Sequence, residues 1–235
     1  MFLLLLSACE PEVKDFDGDG VLDHIEDELG TDPFVRDSDG DGFDDGVEYD
    51  AGTDGTLCWS VPEGLPQCDW QAEQDEVVGQ GWELGQVIPD PGMTDATGAA
   101  LTMRQFYSTV VVLNVTAAWC GPCSVANPDL QAFHDANVEQ GLWVVQSLVE
   151  GETKDQNAST EDCAAWAEQE SLSFPVTWNE SYSSDGQDIN AFYARLYLAG
   201  HDVTLPFYVV LDRDSAIVEV TGDWDAAKAA AEAAL

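Results

Sequence analysis

The sequence feature that most constrains the fold is a continuous apolar run that leads directly into two closely spaced cysteines. Residues 109–115 read Thr-Val-Val-Val-Leu-Asn-Val, and such a β-branched run predicts a strand buried on both faces of a parallel sheet. Residues 119–123 follow as Trp-Cys-Gly-Pro-Cys and open a predicted helix over residues 124–140. A buried strand that passes at once into a helix is typical of an α/β domain.

Strands and helices keep alternating from about residue 81 to residue 235. The pattern predicts a second buried strand at 142–149, a helix at 160–170 capped by Thr160, a strand pair at 207–211 and 216–220, and an Ala-rich last helix at 224–235. Alternating elements that end in an antiparallel pair predict a mixed central sheet with helices on both faces.

Cys120 and Cys123 have the spacing of a redox-active dithiol. A Cys-x-x-Cys pair at a helix N-terminus can close a small disulfide, and the helix end stabilises the thiolate of the first cysteine. We therefore expect Cys120 to be the exposed nucleophile and Cys123, one turn further, to resolve the mixed disulfide. The alternatives are a structural disulfide or half of a zinc site, but the sequence has no second Cys or His pair at suitable spacing for zinc.

Around these cysteines the chain resembles the thioredoxin superfamily. Pro128, five positions after Cys123, matches the proline that kinks the active-site helix of that family. Pro206, within Thr-Leu-Pro-Phe at 204–207, matches the family's cis-proline beside the dithiol. Residues 87–106 are similar to the hairpin that precedes the domain in exported TlpA/ResA-type and peroxiredoxin-related members. The resemblance covers about residues 81–235.

The resemblance implies a thioredoxin fold and a periplasmic thiol-disulfide oxidoreductase, without an organic cofactor and often tethered to a membrane. Its catalytic residues would be Cys120, Cys123, Trp119 and Pro206. Its partners would be protein thiols and disulfides, together with a membrane protein that exchanges electrons with the dithiol.

Two positions depart from the family pattern. Asn114 stands six residues before Cys120, where thioredoxin has a buried Asp, and Ala126 stands three residues after Cys123, where relatives of the cytochrome c maturation type have a Glu. Neither carboxylate is available for the proton of Cys123, so another acid or water must serve, or the exchange is slow. A peroxidase is disfavoured, because residues 117–119 lack the Pro and the Thr or Ser that precede a peroxidatic cysteine.

Residues 15–54 contain an acidic motif that repeats with a period of 22 residues. Each stretch of 12 residues, 15–26 and 37–48, places carboxylates at positions 1, 3, 5, 9 and 12 and glycine at position 6. This is the ligand spacing of a calcium loop, in which position 7 contributes a backbone carbonyl. The predicted ligands are Asp15, Asp17, Asp19, Val21, Asp23 and Glu26 in the first repeat, and Asp37, Asp39, Asp41, Phe43, Asp45 and Glu48 in the second.

Hard oxygen donors without Cys or His favour two Ca²⁺ sites. Ten residues separate Glu26 from Asp37, which leaves no room for the two helices that paired EF-hands need. The pattern instead resembles thrombospondin type 3 repeats over about residues 15–56, which implies a small irregular connector made rigid by metal. The alternative is a disordered acidic spacer, and carboxylate repulsion favours that state when Ca²⁺ is absent.

The acidic residues extend beyond the repeats. The chain has 46 Asp and Glu against 7 Lys and Arg, a formal net charge of −39. So few cations exclude nucleic-acid binding through phosphate contacts and disfavour docking on anionic lipid. Residues 55–235 still hold 28 acidic and 5 basic residues, which predicts a surface adapted to salt.

The other cysteines indicate export. Residues 2–8 are apolar and end in Leu-Ser-Ala before Cys9, which resembles a bacterial lipoprotein signal with Cys9 as the lipidated residue. Eight residues precede Cys9 and none is basic, which a start codon assigned too far downstream would explain. Cys58 and Cys68 enclose a turn-rich segment, which predicts a structural disulfide; free thiols or pairing with another cysteine are the alternatives.

These features divide the chain into four segments. They are a lipoprotein-type signal at 1–9, thrombospondin type 3-like calcium repeats at 15–56, a disulfide-closed linker at 57–80 and a thioredoxin-like domain at 81–235. The predicted function is disulfide exchange on protein substrates by an exported, lipid-anchored protein of the cell envelope. The alternative is a calcium-dependent envelope binding module whose thioredoxin fold has little or no redox activity.

Overall fold

The computed structural model describes residues 14–66, 68, 80–179, 181–184 and 187–235. The chain divides into two compact units, Met1–Leu65 and Pro66–Leu235. The predicted signal with Cys9 lies outside the described residues, as do positions 67 and 69–79 of the predicted linker. None of the helices in the described ranges combines the length and apolar character that a membrane span requires.

The first unit contains the two acidic repeats, and each of them folds as a loop followed by a short helix. Helix α1 spans Asp23–Leu29 and helix α2 spans Asp45–Ala51, so each helix begins at the ninth position of its own loop. Both helices end at a glycine in the left-handed conformation, Gly30 and Gly52. This segment is more regular than the predicted connector, because each helix is built partly from the loop itself and needs no separate stretch of chain.

The second unit is an α/β domain. Its described strands are β1 (Met93–Asp95), β2 (Ala100–Leu101), β3 (Val110–Ala117), β4 (Leu142–Glu150), β5 (Val176–Asn179), β6 (Ser181–Ser184), β7 (Gln187–Asn190), β8 (Phe207–Leu211) and β9 (Ile217–Thr221). Its described α-helices are α3 (Gly121–Asn137), α4 (Thr160–Glu170), α5 (Ala191–Leu198) and α6 (Trp224–Ala234), and 3-10 turns lie at Met103–Phe106 and Val138–Gln140.

Seven of these strands form one mixed sheet in the order β2-β1-β5-β4-β3-β8-β9, and β6 pairs with β7. Strands β3, β4 and β5 are parallel, whereas β8 is antiparallel to β3 and β9 is antiparallel to β8. A β3-α3-β4 unit is thus followed by a β8-β9-α6 unit on the other side of β3. This arrangement is a thioredoxin fold and confirms the predicted mixed sheet.

The sheet is covered on both faces around its central strand. All eight residues of β3 are buried, which explains its continuous apolar sequence. Helices α3 and α6 pack against one face through residues such as Leu130 and Ala227, and Trp166 of α4 meets the same face. On the opposite face, the ring of Tyr193 in α5 lies 6.1 Å from the ring of Phe207 in β8.

Candidate functional site

The predicted dithiol lies where the central strand passes into a helix. Cys120 is the N-cap residue of α3, and Cys123 lies in the first turn after Pro122. The two cysteines form a disulfide with their Cα atoms 5.3 Å apart. In this oxidised form Cys120 is only 4% exposed, against the expectation of an exposed nucleophile, because its sulfur is bonded to the buried Cys123.

Trp119 provides the exposed surface beside the dithiol. Its side chain is 41% exposed, and its Nε1–H donates to the carboxylate of Glu150 at the end of β4. The Nζ atom of Lys154 lies 5.2 Å from the centroid of the indole ring. These contacts hold the ring in place, so Trp119 presents a fixed aromatic surface next to Cys120.

The predicted cis-proline lies at the same edge of the sheet. The Leu205–Pro206 peptide bond is cis, and the next residue, Phe207, begins β8 and pairs with Val115 of β3. Because β8 runs antiparallel to β3, its first residue lies at the edge where β3 ends. The topology therefore brings Pro206 and Cys120 to one edge of the sheet.

A network of buried amide groups lies behind the dithiol helix. Gln146 of β4 donates through Nε2 to Oδ1 of Asn114 at 2.7 Å and to Oδ1 of Asn127 at 2.9 Å. Its Oε1 accepts from Nε1 of Trp166 at 2.7 Å. Asn114 donates in turn to the carbonyl oxygen of Phe207 at 3.4 Å. The position that holds an acid in thioredoxin is therefore occupied here by a neutral amide, in a network that joins β3, β4, β8, α3 and α4.

Glu170 of α4 is the acidic group at the end of this network. Asn127 donates to Glu170 Oε2 at 3.1 Å, and Ser124 Oγ donates to the two carboxylate oxygens at 2.8 and 2.9 Å. Burial acts to raise the pKa of Glu170, but hydrogen bonds from Asn127, Ser124 and Gln169 outweigh it and hold the pKa below its ordinary value. A carboxylate from α4 is thus brought to the first turns of the dithiol helix.

The sequence does not predict a role for Glu170, because nothing in the local pattern distinguishes it from the other acids of its helix.

The other described cysteines lie outside the dithiol motif. Cys163 is free and fully buried in α4, and burial raises the pKa of its thiol to about 12, which leaves it unreactive. Cys58 and Cys68 are both disulfide-bonded.

The acidic repeats bring carboxylates together in three groups within the described residues. In each group, oxygen atoms of three side chains lie within 4.8 Å of one another: Asp15, Asp17 and Asp19; Asp37, Asp39 and Asp41; and Asp19, Glu26 and Asp45. The first two groups combine positions 1, 3 and 5 of one loop. Among the predicted carboxylate ligands, Asp23 and Glu48 belong to none of the three groups. The N–H groups of Val21 and Phe43, the position-7 residues, donate to Asp19 and Asp41 at 2.8 Å.

Among the predicted calcium ligands, several carboxylate oxygens are buried without a hydrogen-bond partner. They are Oδ2 of Asp17, Asp39 and Asp41, both oxygens of Glu26, and Oε2 of Glu48. Burial, reinforced by neighbouring acids, raises the pKa of Glu26 and of Asp39 to about 7 and that of Glu48 to about 8. Buried, unpartnered oxygens that repel one another are costly unless a cation lies between them. The donor set therefore fits a hard divalent ion such as Ca²⁺.

A comparison with known protein families finds a match within the second unit. Residues 84–220 match the AhpC/TSA family, a range that includes the dithiol and Pro206. The chain belongs to the AhpC/TSA family. No curated protein matches this AhpC/TSA-family chain.

Solved structures resemble this AhpC/TSA-family chain over its second unit. It is 17% identical to a thiol:disulfide interchange protein from Bacteroides sp., with a TM-score of 0.50 over 64% of this chain and 89% of that one. This similarity shows a shared fold. The thioredoxin domain of a thiol-disulfide oxidoreductase from Bacteroides vulgatus is 16% identical, with a TM-score of 0.49 over 64% of this chain and 96% of that one. A thioredoxin-family thiol:disulfide interchange protein from Chlorobium tepidum is 18% identical, with a TM-score of 0.47 over 63% and 94% of the two chains.

Proposed function

We propose that this chain is an exported thiol-disulfide oxidoreductase that exchanges disulfides with protein substrates through Cys120 and Cys123. The observation that carries the proposal is the position of the dithiol, which opens α3 at the end of the central strand and at the sheet edge of Pro206. The positive end of a 17-residue helix stabilises a thiolate there. Membership of the AhpC/TSA family and the thioredoxin fold support the same chemistry.

In the reducing direction, the thiolate of Cys120 attacks one sulfur of a substrate disulfide. The substrate S–S bond breaks, a mixed disulfide forms, and the first substrate sulfur leaves as a thiolate that takes a proton from water. Cys123, deprotonated in its turn, attacks the Cys120 sulfur and releases the second substrate sulfur. Two electrons pass to the substrate, the Cys120–Cys123 disulfide forms, and the two protons of the dithiol are balanced by those on the two substrate thiols.

Two other residues position the substrate in this scheme. Trp119 offers an exposed ring held by Glu150 and Lys154, and Pro206 stands at the same edge as the dithiol. An extended substrate chain would lie between them with its disulfide directed at Cys120. The oxidised enzyme would then receive two electrons from a membrane partner, or would pass its disulfide on if it works as an oxidant.

The acidic repeats would hold Ca²⁺ through their loop carboxylates and make the first unit rigid. The ion would place a positive charge beside the buried, unpartnered carboxylate oxygens of Glu26 and Glu48.

A lipid on Cys9 would attach the chain to a membrane of the cell envelope. Fractionation of cells that express Cys9→Ser tests the anchor: we expect this variant in the soluble fraction and the wild type with membranes.

Insulin reduction tests the redox activity. We expect the wild type to precipitate the insulin B chain in the presence of dithiothreitol, and Cys120→Ser to fall to the rate of dithiothreitol alone. Cys163→Ala is the matched control, because it removes the buried thiol of α4 and leaves the dithiol intact. Equal rates for wild type and Cys120→Ser would contradict the proposal and favour a binding module with a redox-inactive thioredoxin fold.

A further inference from the structure

One of the three carboxylate groups joins the two acidic repeats. Asp19 and Glu26 belong to the first loop, whereas Asp45 is the ninth position of the second loop, yet oxygen atoms of all three lie within 4.8 Å of one another. The sequence pattern assigns Asp45 to the second loop alone. The geometry places its carboxylate against two ligands of the first loop.

The central member of this group has no partner of its own. Glu26 is 0% exposed, and neither of its carboxylate oxygens has a hydrogen-bond partner. Asp45 is 2% exposed and accepts from the N–H and the hydroxyl of Ser38, which fix its orientation. A buried carboxylate with two unpartnered oxygens, close to two further carboxylates, is stabilised by a cation within the group.

The backbone is built to allow this close approach. The N–H of Gly46, in the first turn of α2, donates to Oδ2 of Asp19 at 2.7 Å. A Cβ atom on Gly46 would lie 2.3 Å from the backbone oxygen of Asp19, so no other residue type fits there without a shift. The equivalent position of the first repeat is His24, which is exposed. The two repeats therefore differ at the position where the second one packs against the first.

Asp45 also approaches the last ligand of its own loop. A Cβ atom on Gly55 would lie 3.3 Å from Oδ1 of Asp45 and 3.1 Å from Oε2 of Glu48, so both carboxylates face the same glycine. Asp45 thus lies close to the terminal glutamates of both loops.

We propose that Asp45 of the second repeat completes the cation site of the first repeat, so that the two repeats take up Ca²⁺ as one unit. The proposal rests on the calcium role proposed above. It departs from the sequence pattern, in which each loop binds its ion with its own twelve residues. It also gives Gly46 a specific role, because a side chain at this position would separate Asp45 from Asp19 and Glu26.

Calorimetric titration of the metal-free, full-length protein with CaCl₂ tests the proposal. The first step disables the second loop with Asp37→Asn, Asp39→Asn and Asp41→Asn, which leaves the first loop as the remaining site. Asp45→Asn is then added to this background; it keeps the shape of the side chain and one of the two oxygens that accept from Ser38. We expect the affinity of the remaining site to fall about tenfold or more. Asp50→Asn is the matched control, since it removes the same charge from an exposed position of the same helix.

The outcomes separate this proposal from the calcium role itself. An equal affinity for the Asp45→Asn and Asp50→Asn backgrounds would overturn the shared site while the calcium role stands. A wild-type protein that binds no Ca²⁺ would overturn both. In the otherwise wild-type chain we also expect Gly46→Ala to weaken Ca²⁺ binding and His24→Ala to leave it unchanged. An unaltered far-UV spectrum of each variant at saturating Ca²⁺ establishes that the repeats remain folded.

Discussion

At the scale of single residues, Glu170 is an acidic group bonded to the first turns of the dithiol helix. Its carboxylate accepts from Ser124 in the helix that Cys120 caps, so its negative charge lies near the helix end where the thiolate forms. A negative charge at that end opposes a thiolate, whereas the helix dipole favours it. Glu170 therefore moderates the stabilisation that the helix provides.

Replacing Glu170 with Gln removes the charge and keeps a side chain that can accept from Ser124. We expect the Cys120 thiolate to become more stable, which favours the reduced dithiol over the disulfide. The equilibrium constant with glutathione should move about threefold toward the reduced protein. Glu168→Gln, on an exposed position of the same helix, is the control. An unchanged equilibrium for Glu170→Gln, or the same shift for both variants, would contradict a specific effect of Glu170.

The buried carboxylates of the repeats predict an unusual dependence on pH. In the metal-free protein the pKa is raised to about 7 for Glu26 and for Asp39, and to about 8 for Glu48. Because the folded repeats then bind more protons than the unfolded chain, their stability falls as pH rises from about 4 to 8. We expect the far-UV helical signal of the repeats to weaken over this range in EDTA and to persist in Ca²⁺. A metal-free signal that strengthens with rising pH would be inconsistent with these pKa values.

The site residues that the sequence predicted are those with a signal in their immediate sequence. Cys120, Cys123 and their helix follow from spacing alone, and Pro206 follows from a resemblance over four residues. Glu170 and the shared position of Asp45 depend on contacts between elements that are distant in sequence. Acidic residues at every second position predict a calcium-binding loop. They do not indicate whether a carboxylate faces its own loop or a neighbouring one.

At the scale of secondary-structure elements, Gln146 connects the parts of the dithiol site. Its side chain bonds to β3, α3 and α4 at once through Asn114, Asn127 and Trp166. All three hydrogen bonds are buried, so replacing the side chain of Gln146 would leave several polar groups without a partner. The network therefore fixes how the dithiol helix sits on the sheet.

Substituting Gln146 with Leu should lower the free energy of unfolding by about 2–4 kcal/mol, because Asn114, Asn127 and Trp166 each lose a buried partner. Urea denaturation measures the effect. Gln169→Leu is the control, since Gln169 is exposed on α4. A loss below about 1 kcal/mol would mean that the three partners find other hydrogen bonds.

The elements themselves were predicted where their sequence is long and periodic. The predicted helix at 160–170 matches α4, although Ser159 rather than Thr160 caps it by accepting from the N–H of Asp162. The predicted strand at 109–115 corresponds to Val110–Ala117. Helix α3 begins earlier than predicted, at Gly121, because Pro122 favours the first turn. Strands β5, β6 and β7 and helix α5 were not predicted: each of these strands has four residues and α5 has eight, too few for a clear period.

At the scale of the whole molecule, the acidic surface is the property that calcium does not explain. Residues 55–235 hold 28 acidic and 5 basic residues. Among the five basic residues, Arg213 donates to the backbone carbonyls of Ser108 and Gln140, and Lys228 lies 3.9 Å from Glu232. Most of the 28 acidic residues therefore have no basic residue to offset their charge, and the folded state carries an unfavourable self-repulsion.

Salt should relieve this repulsion, because the screening length falls from about 10 Å at 0.1 M to about 3 Å at 1 M. We expect Tm to rise by about 5 °C or more between 0.05 and 1 M NaCl. The experiment is run in EDTA and again in saturating Ca²⁺, since the repeats contribute only in the first case. A rise in both conditions assigns the effect to the thioredoxin-fold unit. A rise confined to EDTA would assign it to the carboxylate loops instead, and a Tm that falls with salt would rule out a surface adapted to it.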